Sequence, residues 1–402
     1  MDWQSRRARA LAEARCVVVK VGSAVLTKPQ GLDTAVIDHI VAQLAALRGA
    51  PDPESGLSPR RVVLVSSGAV AAGRAALGTT CDTASLAARQ GAAAVGQSRL
   101  MHAYDSAFAR HGIVSAQVLL TRDDLRSRQR FLNVRNTFAE LLHWGVIPVI
   151  NENDTVSTLE LRFGDNDNLA SLLVNLVEAD LFINLTTAGG VLAANPLTTP
   201  DAAIMPCIKE VRSLNLDTLC GGKSAVGTGG MYSKLRAAQR AAQLGVPTLI
   251  LPGKEADVIT QAFESTIIDL DDPAAQVIQL PPQGTWICPE EHSISRRKFW
   301  LAYQSEPAGT ITVDDGAAYA LSHNGSSLLP GGITAADGNF QAGSLVRVMN
   351  KQHCLGVGLS NYAAPQLRRI MGLKRHEVAA ALGDAHYPEV IHRDNLLLEA
   401  AV

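Results

Sequence analysis

Lys20 ends an apolar run, Val17-Val18-Val19-Lys20-Val21, and Gly22-Ser23 follow at once. A lysine delivered to a glycine turn can meet a phosphate as a point charge while nearby amides approach the same anion. A solvated strand-end lysine explains the residue about equally well on its own. Lys234 closes a second segment of this kind, Gly227-Thr228-Gly229-Gly230-Met231-Tyr232-Ser233-Lys234, whose glycines precede a helical pattern. Such backbone suits a polyphosphate, with a plain flexible loop as the alternative. In Val65-Ser66-Ser67-Gly68-Ala69-Val70 the chain passes from a strand into a helix. Free amides there favour a carboxylate or phosphate, unless Ser66 or Ser67 simply caps the helix. Asn151-Glu152-Asn153-Asp154 follows an apolar run. Polar groups after a buried strand must find partners or ligands, and an aspartate there suits a cationic group; an Asx-turn accounts for one or two of them. Gly164-Asp165-Asn166-Asp167-Asn168 enters the helical run Leu169–Val177 with more carboxylates and amides than one cap requires. Two lysines, several carboxylates and glycine turns, without a His/Cys cluster for a metal, indicate phosphoryl transfer, in which catalysis is mostly positioning and charge neutralisation.

Several familiar motifs fail on spacing. The first glycine of a Walker loop ending in Gly222-Lys223-Ser224 would fall on Asp217. The last glycine of a dinucleotide fingerprint begun at Gly227 would fall on Tyr232. His392-Arg393-Asp394 has Glu399 where a kinase catalytic loop needs Asn. The acidic run at Asp165 lacks the glycine and bidentate glutamate of a calcium loop.

These segments need elements that bring them together. The sequence predicts strands at Cys16–Val21, Arg61–Val65, Ile113–Leu119, Val146–Ile150, Leu181–Leu185 and Pro247–Leu251. Between them lie helical patterns such as Thr34–Arg48, with Asp33 as N-cap and Gly49 as its end, and Met231–Leu244, closed by Gly245. Alternating strands and helices define an α/β fold with an open, mostly parallel sheet sandwiched by helices. Every candidate segment then falls at the C-terminal end of a strand or the start of the next helix, where such sheets collect ligands. Pro51–Arg60 reads as a surface insertion, and the Pro-bearing stretch Asp271–Gln283 as a junction. Beyond it, short runs at Gly309–Val313, Ser326–Leu329, Ser344–Val348 and Cys354–Leu359 predict a small β-rich barrel or sandwich, with helices at Gln366–Met371 and Glu377–Leu382.

With 402 residues, 47% of them apolar and 18% charged, the chain should fold as two or three domains. A net charge of −2 supplies no overall field toward nucleic acid or anionic lipid. The six cysteines are dispersed and are expected as reduced, mostly buried thiols. Neither a signal-like h-region nor a bilayer-length apolar stretch occurs, so a cytosolic protein without a membrane role is expected.

In this order, the strings VVVKVGSAVL, VSSGAVAAG, VIPVINENDTV, FGDNDNLAS and GTGGMYSKL closely resemble the amino acid kinase family, and within it the branch acting on L-glutamate. AGTITVDDGA, GSSLLPGGI, GNFQAGSLVRV and the later IHRD are similar to a PUA domain, so the resemblance covers almost the whole chain. It implies a catalytic domain over 1–275, a connection over 276–308 and a PUA-like domain over 309–390. The implied reaction is ATP-dependent phosphorylation of the γ-carboxylate of glutamate to γ-glutamyl phosphate, the first step toward proline. A carboxylate of pKa ~4.3 is already ionised at neutral pH and attacks phosphorus without a general base.

By the same resemblance, Lys20 and Lys234 neutralise the transferring phosphoryl group, Asp167 holds both ammonium groups in register, and Mg²⁺ bridges the nucleotide phosphates; no residue is assigned to a metal. Ser67, Gly68, Asp154 and Asn166 face glutamate. ATP meets Lys20, Thr186, Thr187 and the loop Thr228, Gly229, Gly230, Met231, Tyr232, Ser233, Lys234. Thr186-Thr187 stands where the family usually has Thr-Asp, a departure that bears on base recognition or ATP affinity. A cytoplasmic homo-oligomer, dimer or tetramer, inhibited by proline and followed by a glutamate-5-semialdehyde dehydrogenase is also implied. Rival readings are another acceptor within the family and RNA binding through the C-terminal domain, where Ser295-Arg296-Arg297-Lys298 adjoins Phe299 and Trp300.

Overall fold

Cys16–Val21 has no exposed position, and a strand buried on both faces needs a hydrogen-bonded neighbour at each edge and helices above and below. A computed structural model supplies both. It describes residues 2–49, 59–78, 85–156, 165–220, 230–264, 284–303, 307–383 and 387–398. The chain divides into two units, Met1–Ser293 and Ile294–Val402. The expected insertion at Pro51–Arg60, save its last two residues, and the junction at Asp271–Gln283 lie outside the described residues.

In chain order the strands of the first unit are β1 (Cys16–Val21), β2 (Thr27–Lys28), β3 (Gly31–Leu32), β4 (Arg61–Ser66), β5 (Ser115–Leu120), β6 (Ile147–Glu152), β7 (Leu181–Thr186), β8 (Cys207–Ile208), β9 (Thr248–Pro252) and β10 (Thr285–Ile287). Apart from the β2–β3 hairpin they form one sheet in the order β5-β6-β4-β1-β7-β9-β10-β8. The strands from β5 to β9 run parallel, as the alternation of elements requires. β10 reverses direction against β9 and carries β8 at its far edge. These two short strands were not among those predicted. Val17, Val19, Leu64, Val149, Ile183 and Leu249 fill the core on one face of the sheet.

Strand ends differ from expectation where polar residues belong to the ladder. Asn151 and Glu152 pair with Leu119 and Leu120, so β6 runs through them and only Asn153-Asp154 follow it. The helix expected from Leu169 begins at Asp165, which puts Asn166, Asp167 and Asn168 in its first turn instead of ahead of it. The Thr34–Arg48 helix ends at Gly49, whose φ of 69° no β-carbon favours. Asp33 occupies the N-cap but makes no capping bond, and sits 3.8 Å from the Lys28 ammonium instead.

Two helices after β4 pack without space for a side chain between them. A β-carbon on Gly73 of the Ala69–Leu77 helix would lie 1.7 Å from the Ala92 carbonyl oxygen. One on Gly96 of the Leu86–Ala109 helix would lie 1.8 Å from that of Ala69. Glycine at both positions fixes how closely the second helix supports the Ser67-Gly68 turn.

The second unit has β11 (Gly309–Val313), β12 (Ile333–Gly338), β13 (Leu345–Asn350), β14 (His353–Leu359) and β15 (Leu396–Leu398) in the order β12-β11-β13-β14-β15. Only β11 and β13 are parallel. Ile311, Val346, Val348, Phe340 and Leu367 build its core against the Ala364–Ile370 and Arg375–Leu382 helices. The strand expected at Ser326–Leu329 reduces to one bridge, Leu328 to Ile391; β12 takes the edge of the sheet instead. Phe299 is fully buried with its ring 4.7 Å from that of Tyr303, so it serves the core and is closed to stacking with a base. Five described cysteines are free, Cys16 and Cys288 buried and Cys207, Cys220 and Cys354 half-buried, which leaves fewer buried than expected. Among the described residues no helix is long and apolar enough to cross a membrane.

Candidate active site

Four adjacent parallel strands, β6, β4, β1 and β7, deliver their C-terminal ends to one rim of the sheet. Lys20, near the end of β1, stands in register with Asn184 on β7. The Asp165–Leu176 helix lays Asp167 over this pair. Lys20 Nζ lies 2.6 Å from Asp167 Oδ1, and Lys234 Nζ lies 3.2 Å from Oδ2. Asn184 Nδ2 donates to Oδ1 at 3.1 Å and Ser233 Oγ to Oδ2 at 2.5 Å, so each carboxylate oxygen accepts from one ammonium and one neutral donor. Lys20, Asp167 and Lys234 are only 3%, 1% and 5% exposed.

Burial of three charges is tolerable only because they compensate one another. Burial pushes the Asp167 carboxyl up, but the charges of Lys20 and Lys234 and the bonds it accepts bring it down to about 2. Burial lowers Lys20 from 10.5 to about 8; Asp167 opposes the fall and Lys234 adds to it. Two lysines against one carboxylate leave the cluster rich in positive groups at the rim. A β-carbon on Gly22 would already stand 3.6 Å from the Lys20 nitrogen.

A second polar cluster adjoins the first through the preceding helix residue. Asn166 Nδ2 donates to Ser67 Oγ and to Asn151 Oδ1, both at 2.9 Å, and its Oδ1 accepts the Glu152 amide at 3.1 Å. Asn151 in turn donates to Gln97 Oε1 at 2.9 Å. Beneath them the Ser66 and Tyr104 hydroxyls share a hydrogen bond of 2.9 Å. Gly68 is the N-cap of the next helix with φ of 111°, and no side chain caps that helix start, so the capping alternative for Ser66 and Ser67 does not hold. Asp154 lies half-buried beyond β6; burial raises its pKa and the Arg89 charge opposes the rise.

The structure thus brings together Lys20, Asp167 and Lys234, and beside them Ser67 and Asn166. Thr186 ends β7, buried, while Thr187 is exposed. Gly230 is the N-cap of the Met231–Gln243 helix that carries Ser233 and Lys234. Met231 and Tyr232 pack partly against the apolar cluster of Val191, Ile208 and Leu235. Thr228 and Gly229 lie outside the described residues. Asn184, Gln97, Tyr104 and Arg89 were not anticipated. Asn184 alone carries a local signal, as the amide inside the otherwise apolar Leu181–Leu185. Among the described residues no group of three or more His, Cys, Asp or Glu side chains could hold a metal ion.

A parallel sheet with paired lysines on a shared carboxylate at its rim is the arrangement of a phosphotransferase. The family model described as "Amino acid kinase family" matches residues 15–252, and the "PUA domain" model matches 309–382. The chain belongs to the amino acid kinase family. Within it, the chain groups with glutamate 5-kinases over its full length. It is 62% identical to the glutamate 5-kinase of Nitratidesulfovibrio vulgaris (strain DP4) and 58% identical to that of Oleidesulfovibrio alaskensis, each match covering all of both chains. Against the glutamate 5-kinase of Geobacter sulfurreducens the identity is 44%, over 98% of this chain and all of the relative.

Proposed function

We propose that the protein transfers the terminal phosphoryl group of ATP to the γ-carboxylate of L-glutamate, yielding γ-glutamyl phosphate. The observation that carries this reading is the division of one buried carboxylate between two lysines, next to a cluster of neutral donors on the adjoining strands. Two anions must approach, so the protein's task is to cancel repulsion. Lys20 and Lys234 neutralise the phosphoryl oxygens. Asp167 fixes their separation and takes no proton, since its pKa lies far below neutrality. The glutamate carboxylate supplies its own nucleophilic electrons and needs no base.

The acceptor lies on the Ser67–Asn166 side. Ser67 and the amides after Gly68 orient a carboxylate, and Asp154 receives the α-ammonium group. ATP lies on the Thr186, Thr187 and Gly230–Lys234 side, with Lys20 between the two halves. Mg²⁺ bound with the nucleotide would neutralise its phosphates, chemistry that asks few ligands of the protein; among the described residues no group of three or more His, Cys, Asp or Glu side chains could hold the ion. We place the reaction in the cytoplasm, at the head of proline synthesis and in a homo-oligomer. Proline carries the same ammonium and carboxylate pair as glutamate and would compete at Asp154. An acyl phosphate hydrolyses readily, which favours a glutamate-5-semialdehyde dehydrogenase acting on it promptly.

Trapping the acyl phosphate with hydroxylamine tests the reading. Hydroxamate should form only with ATP, Mg²⁺ and L-glutamate together. Equal or greater yield with aspartate or N-acetylglutamate would overturn the acceptor assignment.

A further inference from the structure

Outside this site, one pair of reactive side chains is brought together from opposite ends of a long stretch of sequence. The Cys207 and Cys288 sulfurs lie 3.8 Å apart and share a hydrogen bond. Cys207 opens β8, in register with Trp286 of β10, and Cys288 follows β10 directly. The Cys288 amide donates to the Ile208 carbonyl and the Trp286 amide to that of Pro206, both at 2.9 Å, so the ladder puts Cys207 and Cys288 on one face of the sheet, two register positions apart, where their sulfurs meet diagonally. β8 has two residues and, among the described residues, pairs only with β10, so the edge can yield by the short distance that bonding requires. A disulfide spans about 2.05 Å, and the sulfurs need to close by a little under about 2 Å.

The surroundings favour reaction at this pair. The Cys207 hydrogen bond holds the Cys288 thiol below its usual range, burial opposing, with the charge of Arg6, the Trp286 indole and Lys209 assisting. The same bond, with burial, pushes the Cys207 thiol up. Two sulfurs in contact, with Cys207 only half-buried, are an arrangement that an oxidant can reach and join. Two of the other cysteines bond to carbonyls instead: Cys16 donates to that of Val177 and Cys354 to that of Gly356.

We propose that Cys207 and Cys288 form a reversible disulfide, a redox-modification site on the edge of the sheet. The oxidant is a hydroperoxide. Two thiols and one hydrogen peroxide give one disulfide and two waters; the sulfurs lose two electrons, the peroxide O–O bond gains them, and both thiol protons leave in water. A dithiol reductant reverses the bond by exchange. The bond would fasten β8, the end of the segment that leaves Thr186, onto β10.

The full-length protein, treated with stoichiometric hydrogen peroxide and then denatured, should lose about two titratable thiols and about 2 Da of mass. Proteolytic mapping should yield one peptide pair joined through residues 207 and 288, released by dithiothreitol. Cys207→Ser and Cys288→Ser should each abolish the joined pair. Retention of all thiols, loss mapped to other cysteines, or Cys288 sulfinic acid without a cross-link would each overturn the proposal. The map on unmodified protein decides the matter even if a variant fails to fold.

Discussion

Lys20 Nζ lies 2.6 Å from Asp167 Oδ1, one on the central strand of the sheet and the other in the first turn of the helix above it. The contact joins the deepest part of the fold to its ligand rim. Removing the carboxylate leaves two buried ammonium groups facing each other without compensation. Asp167→Asn should therefore destabilise the first unit by about 3–5 kcal/mol, read from the urea midpoint. Turnover should also fall by at least about 10²-fold in a glutamate-dependent ADP-release assay.

Lys20→Ala and Lys234→Ala should each lower kcat by about 10²-fold or more, since each removes charge control where negative charge develops. Near wild-type rates in either variant, with an unchanged circular dichroism spectrum, would be incompatible with the proposed roles.

A pH profile reports on Lys20. Its ammonium must be charged to act, and its pKa is about 8, so kcat/KM should decline as pH rises through about 8. Lys20→Arg keeps the charge and should flatten that limb at a lower absolute rate. Stability follows a different sign. The folded value of Lys20 lies below its unfolded 10.5, so the native state holds fewer protons between about 8 and 10.5 and gains stability with pH across that window. The Asp167 contribution is present above 3.8 and is lost as pH falls toward about 2. Urea titrations at several pH values measure both.

Asp154→Ala should raise the KM for glutamate by about 10- to 100-fold, the worth of a charged hydrogen bond, with a smaller change in kcat and in the KM for ATP. Equal shifts in both Michaelis constants would place Asp154 outside the acceptor site.

Gly68→Ala forces a side chain into a left-handed backbone and should cost about 1–2 kcal/mol while raising the KM for glutamate. Gly96→Ala puts a methyl into the Ala69 carbonyl and should cost about 1–3 kcal/mol. Denaturant midpoints of the two variants check both values.

Most of the main sheet was legible because strands buried on both faces appear as apolar runs, as in Val62-Val63-Leu64-Val65 or Leu181-Phe182-Ile183. Ends were misread where the residues that do chemistry are themselves ladder residues. Asn151 and Glu152 look like a loop yet complete β6, because their polar groups find partners in Asn166 and Gln97. Short strands such as β8 and β10 hold too few residues to show a period, and Thr334-Ala335-Ala336-Asp337 of β12 is poor in β-formers. Lys20, Asp167 and Lys234 stood out by type and placement. Gln97 and Tyr104 did not, because on the Ala-rich Leu86–Ala109 helix they resemble ordinary surface and core positions until β4 and β6 are laid against them.

Asn166 and Asp167 are consecutive in one helical turn, yet the first reaches Ser67 and the second reaches the lysines. One helical turn thereby carries both the side proposed for the phosphoryl donor and the side proposed for its acceptor. A change in how the Asp165–Leu176 helix sits on the sheet would swing both residues at once, so under the proposed roles the spacing between nucleophile and phosphorus is not retuned on one side alone.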